Sequence, residues 1–295
     1  MDRLKSRHLQ IAMFLLPALL FYAVLLVYPV LRTFFLSLHE WNGFAGSKVE
    51  YVAFDNFKLV FEDEIFWKSL KNVMVVMLLS IAIQIPAGLF LALLLNGKWK
   101  GIRFFKAAFF MPVIMSATSI SLLWKFILYP GDGLVDGLLM KMGLEDSIRA
   151  WLADPSINLY TVILICCWQG LGVVMIIFLS GLVSIPDAIK EAALIDGANR
   201  RQRLWFVTLP LIREAVAINV ILLVIGTLKI FDNIYVLTDG GPNHATDVLG
   251  TFLYKEAFRN NRFGMASAIA VVMFLLGFVL TLVANRAMRR ESLDG

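Results

Sequence analysis

The chain has 295 residues, 59% of them hydrophobic and only 17% charged, with a mean hydropathy of +0.77. A soluble domain of this size is about a quarter charged and under half apolar, so this excess excludes a single globular core and calls for the bilayer as a second apolar solvent. The net charge of +5 is spread over short segments between apolar blocks and forms no patch, which argues against a nucleic-acid partner.

Five stretches free of Lys, Arg, Asp and Glu come in long blocks: residues 9–31, 72–97, 107–124, 155–186 and 263–285. About 20 helical residues cross the hydrocarbon, and all five reach or approach that length. A sixth block, 215–228, is shorter. Arg213 and Lys229 flank it and can snorkel, while Leu209-Pro210 before it and Ile230, Phe231 and Ile234 after it lengthen it to a span. The sequence therefore predicts an all-α, polytopic membrane protein with six transmembrane helices, and the whole of 1–295 reads as one transmembrane domain.

Loop charge gives the orientation. With the N-terminus inside, the cytoplasmic pieces (the N-terminal tail, 98–106, 182–210 and the C-terminal tail) carry 14 Lys or Arg against 6 Asp or Glu, whereas acids outnumber bases outside. Lys98, Lys100, Arg103 and Lys106, with Arg286, Arg289 and Arg290 in the tail, decide it and put both termini in the cytoplasm. The first block is too long for a signal peptide, contains Pro17 and lacks a small-residue cleavage site, so no cleavage is expected.

The spans hold residues that a simple anchor does not need. Pro86 and Gly88 interrupt the second, and Pro112 sits in the third near Ser116, Thr118 and Ser119. Gln169, Gly170 and Gly172 mark the fourth, and Asn219 and Gly226 the fifth. Prolines bend helices, glycines let them approach closely, and buried amides need partners or a wet cavity. Together they predict a packed bundle around a gated passage, with Trp124, Gln169, Asn219 and Asn233 as candidate lining residues. Cys166 and Cys167 are adjacent inside an apolar block and read as small packing residues. The histidines, His8, His39 and His244, show no metal spacing.

Residues 184–210 stand out among the loops. Ser184 followed by Asp187 reads as a capping box with Pro186 in the first turn, so a short helix is expected from Ile185 to about Asp196. Gly197 is placed to end it, and a second helical piece should run from about Asn199 to Val207 before the turn at Pro210. The first helix is Ala-rich and offers Glu191 as a fixed acid, and Arg200, Arg201 and Arg203 cluster beyond the turn. Two uses fit this knuckle: docking to a soluble partner, or resting on anionic headgroups.

Within it, Glu191-Ala192-Ala193, Asp196-Gly197-Ala198 and Leu209-Pro210 resemble the EAA loop of binding-protein-dependent ABC transporter permeases. The likeness covers essentially the whole chain and is to the sugar-type branch, which includes the larger maltose and the glycerol-phosphate permease subunits. It extends to Ser184-Ile185-Pro186, to the run from Phe231 to Pro242 that ends Thr238-Asp239-Gly240-Gly241-Pro242, to Thr246, to Phe258, and to Phe263-Gly264-Met265-Ala266-Ser267-Ala268. The resemblance implies that 184–210 forms a coupling helix seated in an ATP-binding subunit. Glu191 would be its charged contact, Ala192 and Ala193 its close-packing face, and Gly197 the orienting turn, with Asp196 and Ala198 beside it. It further implies a sister permease, two ATP-binding subunits that use ATP and magnesium, and an external solute-binding protein. The expected substrate is a sugar or oligosaccharide, or else a polyol or glycerol phosphate. The first external loop, about 37–70, is too short for the large external domain of the larger maltose permease subunit.

No Gly-x-x-x-x-Gly-Lys-Ser/Thr loop occurs, so this chain is not expected to hydrolyse ATP or bind a cofactor. Gly240, Gly241 and Pro242 make a tight turn on the outer side, which the resemblance places near the pathway mouth and which also fits a purely structural turn. Lys229 and Asp232, three apart, are positioned to pair on one helix face. An ion-coupled transporter would need acids within the spans, which are almost free of them, and a membrane enzyme would need a convergent set of acids, histidines or nucleophiles that the sequence lacks.

Overall fold

The computed structural model describes residues 13–97 and 99–288, so the start of the first block and Lys98, Arg289 and Arg290 lie outside the described residues. Among the described residues the regular structure is helical apart from one two-residue strand pair. Helix α1 (Met13–Ser37) is followed by β1 (His39–Glu40) and β2 (Glu50–Tyr51), paired antiparallel with His39 opposite Tyr51. Then come α2 (Asp55–Glu62), α3 (Glu64–Leu95), α4 (Ile102–Ile114), α5 (Ala117–Ile127), α6 (Leu134–Lys141) and α7 (Asn158–Val183). The remainder is α8 (Asp187–Ile195), α9 (Arg200–Leu211, with a π turn over Arg203–Thr208), α10 (Arg213–Leu228), α11 (Asp232–Thr238), α12 (Leu249–Tyr254) and α13 (Phe263–Met288).

Four of these helices, α1, α3, α7 and α13, are each long and apolar enough to cross a membrane, and the number rises to six if each of two bent pairs counts as one span. The bent pairs correct the expected continuous third and fifth spans. The third breaks by 100° between α4 and α5. Pro112 removes a donor from the last turn of α4, and Ser116 then adopts extended geometry (ψ 145°) and accepts from Ser119 N at 3.2 Å, capping a fresh helix. The fifth bends by 65° at Ile212, just after Pro210, and does not continue as predicted: α10 stops at Leu228, and Ile234 belongs to a separate helix. Lys229 closes α10 while Asp232 opens α11, so these two do not share one helix face.

The second span also differs from the sequence reading. α3 begins at Glu64, eight residues before the apolar block, and runs unbroken through Pro86 to Leu95. Pro86 therefore does not interrupt it. Gly88 works by packing: a Cβ there would stand 2.5 Å from Val174 Cγ1. Gly172 does the same between α7 and α4, where a Cβ would meet Phe109 O at 2.5 Å and Phe110 Cα at 2.9 Å.

The chain divides into two compact units. One comprises the segment up to Glu64 with 253–274. In it Asn56 Nδ2 donates to Ser37 O (3.0 Å) and His39 O (2.9 Å), which ties the end of α1 to the hairpin, and Trp41 O accepts from Phe263 N at 3.0 Å. The apolar side chains of α1 from Met13 to Leu31 are exposed, as suits a helix whose solvent is lipid. The other unit, 65–252 with 275–295, holds the main core. There Phe178 and Met175 of α7 are fully enclosed by Ala92 and Leu95 of α3 and Ile212 and Ala215 at the start of α10. A second cluster, Val76 with Leu159, Ile163 and Cys167, continues the α3–α7 seam. Cys166 and Cys167 are free thiols.

Candidate functional site

Between the middle of α3, the middle of α7 and the length of α10 lies a cavity of about 440 Å³. Its walls combine apolar side chains with Ser80, Gln84, Gln169, Asn219 and Asn233, and Lys229 and Asp232 bring one charge of each sign. Three of the four candidate lining residues are thus brought together. Asn233 Nδ2 donates to Gln169 Oε1 at 3.0 Å, joining α11 to α7. Asn219 is buried, with Nδ2 3.4 Å from Val174 O and no partner for Oδ1 among the described residues. Trp124 stands elsewhere: its ring meets Trp168 edge-on at 5.7 Å, away from the cavity lining.

Sequence reasoning missed Ser80 and Gln84. Gln84 is buried in α3, its Oε1 unpartnered among the described residues, and Gly170 stays open for it, since a Cβ there would lie 2.7 Å from that oxygen. The signal was available, because Ser80 and Gln84 are four apart in an apolar run and so share a face. A buried amide oxygen without a donor costs free energy unless a ligand or water supplies one, so Gln84 and Asn219 mark the cavity as a place to accept hydrogen bonds from hydroxyls.

The two ends of α3 carry different loop systems. At its start, Lys68 Nζ donates to Asn243 O (2.6 Å), and Asn72 Nδ2 donates to Ala245 O (3.1 Å) and Asp247 O (2.8 Å). At the start of α7, Asn158 Nδ2 donates to Gly241 O at 3.0 Å. The Gly240-Gly241-Pro242 turn is thereby strapped to two long helices. Asp239 and Gly240 adopt positive φ (51° and 80°), and Thr238 Oγ1 and Thr246 Oγ1 close the turn at 2.7 Å. His244 Nδ1 meets the buried Asp247 Oδ2 at 2.6 Å.

At the other end of α3 sits the 184–210 segment. Its first helix starts at Asp187 without the predicted capping box: Ser184 is helical, ends α7 and donates its hydroxyl to Gly181 O at 2.8 Å. The box lies at the start of the next helix, α9, where Asn199 Oδ1 accepts from Gln202 N (2.9 Å) and Gln202 Oε1 accepts from Asn199 N (2.8 Å). Gly197 ends α8 with φ 74°, and Ala198 N donates back to Ala193 O at 3.1 Å. Glu191, Ala192 and Asp196 are exposed, whereas Ala193 is buried against its own chain. The outward face is completed by two residues that were not singled out, Leu194 (55% exposed) and Ile195 (86% exposed).

A bundle of bent and straight apolar helices, a polar cavity at mid-helix and a loop system at each end define a membrane transport subunit. The chain belongs to the family of binding-protein-dependent transport system inner membrane components, which it matches over residues 84–292. Members of this family are permeases, and ATP hydrolysis resides in a separate subunit. Among its relatives, the probable ABC transporter permease protein YurN of Bacillus subtilis (strain 168) is 38% identical over 92% of this chain and 93% of its own length. The multiple sugar-binding transport system permease protein MsmF of Streptococcus mutans is 35% identical over 89% of each chain. The lactose transport system permease protein LacF of Rhizobium radiobacter is 31% identical over 95% of this chain and 94% of its own. A chain from the crystal structure of a bacterial ABC transporter involved in the import of the acidic polysaccharide alginate superposes with a TM-score of 0.84. It shares 26% identity and covers 99% of this chain and 98% of that one.

Proposed function

We propose that this chain is the membrane-spanning permease subunit of an ATP-driven importer of a sugar or oligosaccharide. It works with a sister permease, two ATP-binding subunits that use ATP and magnesium, and a solute-binding protein that delivers the solute. The relatives that import multiple sugars and lactose support the substrate class. So does the cavity, whose amides and hydroxyls suit a neutral polyhydroxylated solute.

In this reading the whole chain is one permease domain of six spans: α1, α3, α4 with α5, α7, α9 with α10, and α13. Both termini and the 184–210 segment lie in the cytoplasm, with Gly240, Gly241 and Pro242 on the outer face near the solute-binding protein. Glu191, Ala192, Asp196, Gly197 and Ala198 form the surface that seats in an ATP-binding subunit, and Ala193 is buried where α8 packs on the π turn of α9. Closure of the ATPase pair moves this segment and switches the paired permeases between inward- and outward-facing states. Gln169, Asn219 and Asn233 lie along the solute's path, while Trp124 supports it through Trp168.

The observation that carries the coupling assignment is the outward face of α8. Leu194 and Ile195 are apolar and exposed on a short loop helix next to Glu191, where a soluble partner would cover them. The test is co-reconstitution with the ATPase, sister permease and binding protein in liposomes, followed by ligand-stimulated ATP hydrolysis and uptake. Glu191→Lys should depress both while leaving membrane insertion intact. Unchanged stimulated hydrolysis and uptake would sink the assignment.

A further inference from the structure

A second concave surface lies where α3 and α7 end and α9 begins, a groove of about 650 Å³. Its floor is apolar and drawn from the last turns of the two long helices and from α9, with Phe90, Leu94, Leu182 and Val207 among its lining. Phe90 is 65% exposed and Leu94 53%, so the apolar wall opens outward and is not closed by the described residues. The rim is different in kind. Lys190, Arg200, Arg201 and Arg203 all line the groove, and among the described residues no Asp or Glu does.

Of these four cations only Lys190 has an ion-pair partner among the described residues, Asp187 at 3.0 Å. Arg203 Nε is buried with no hydrogen-bond acceptor among the described residues, which is costly for a guanidinium unless an anion completes it. An apolar trough at the ends of two spans, rimmed by cations of one sign, has the shape of an acyl chain continued by an anionic headgroup. We infer that this groove binds one anionic phospholipid, its phosphate held by Arg200, Arg201 and Arg203 and its acyl chain laid along Phe90 and Leu94. The headgroup would then touch the segment that joins α8 to the fifth span, so lipid charge could set how firmly that segment is held. The assignment needs only the membrane location of the chain and stands apart from the role of Glu191.

The test is native mass spectrometry of the full chain in detergent, titrated with phosphatidylglycerol or with phosphatidylcholine of the same acyl chains, and with inorganic phosphate as a third arm. The wild type should retain phosphatidylglycerol in preference to phosphatidylcholine, and millimolar phosphate should not displace it. Arg200→Gln with Arg201→Gln should reduce that preference by about twenty-five-fold, each basic residue near an anionic headgroup favouring binding roughly fivefold. Both arginines are exposed, so the fold should tolerate the change; if the double variant fails to fold, Arg201→Gln alone should give about a fivefold loss. An unchanged preference would overturn the inference. Displacement by inorganic phosphate would overturn it in favour of a free-anion site. Loss of ATPase assembly with lipid preference intact would assign the arginines to the soluble partner instead.

Discussion

Gly172 and Gly226 make a matched pair on which the packing argument can be tested. Both lie inside long apolar helices, Gly172 in α7 and Gly226 in α10. A Cβ at Gly172 would stand 2.5 Å from Phe109 O and 2.9 Å from Phe110 Cα, both backbone atoms of α4, whereas nothing lies within 4 Å of one at Gly226. Ordinary contact begins near 3.4 Å, so Gly172→Ala must push α4 away from α7 by close to an ångström, and no side-chain rotation can relieve it. Overpacking of this kind costs about 1–3 kcal/mol, and the better helix propensity of alanine returns roughly 0.8–1 kcal/mol. The net is a destabilisation of up to roughly 2 kcal/mol for Gly172→Ala against a stabilisation of roughly 0.8–1 kcal/mol for Gly226→Ala. Unfolding in mixed micelles, followed by circular dichroism, reads both. Displacing α4 also moves Met115, whose carbonyl lies 3.5 Å from Gln169 Nε2, so Gly172→Ala should reduce uptake as well. A Gly172→Ala protein stabilised as much as Gly226→Ala would refute the close approach of these helices.

Other substitutions probe the straps, the cap and the cavity. Asn72→Leu removes the donor that serves Ala245 O and Asp247 O, and should cost about 1–3 kcal/mol and speed proteolysis of the 238–248 loop; an equally resistant loop would deny the strap. Asn199→Ala abolishes the observed capping box and should destabilise α9 by about 1 kcal/mol, whereas Ser184→Ala should be close to neutral; amide exchange over 199–204 separates the two. Asn219→Leu removes a buried oxygen that has no partner among the described residues, so stability should hold or rise while solute uptake falls, and undiminished uptake would remove Asn219 from the path.

Most of the span pattern was legible because lipid imposes one demand, an uninterrupted apolar run with charges at its ends. What the sequence left hidden was where a run stops being one helix. The block at 107–124 looks continuous, yet Ser116 caps a new helix inside it, and a serine in an apolar run reads equally as helix glue or as a cap. At Lys229 the chain leaves the helix through a residue with no breaker character, so tertiary context decides it. The cavity was partly legible: Gln169, Asn219 and Asn233 stood out as amides in apolar surroundings, and Gln84 carried the same signal. Trp124 lies on α5, beyond the bend, and its ring meets Trp168. Lys68, Asn72 and Asn158 could not be found from sequence, because their acceptors are carbonyls more than eighty residues away.

The two loop systems differ in a way that bears on which of them can move. At one end of α3 the loop that carries Gly240, Gly241 and Pro242 is held by side chains of α3 and α7 that donate to four of its carbonyls. Displacing it means breaking those bonds together or carrying both helices with it. At the other end, Lys190 donates to Asp187, and Asn199 and Gln202 exchange two hydrogen bonds, all within residues 187–208. α8 packs on the π turn of α9, with Ala193 buried, and apolar contact of this kind permits sliding where directional bonds would not. A force applied to the exposed Leu194 and Ile195 would thus shift a short, internally bonded body first, and reach α10 through the 65° bend at Ile212, whereas the strapped loop would answer only when whole helices moved. That asymmetry is what a subunit needs if its work arrives on one side and its solute on the other.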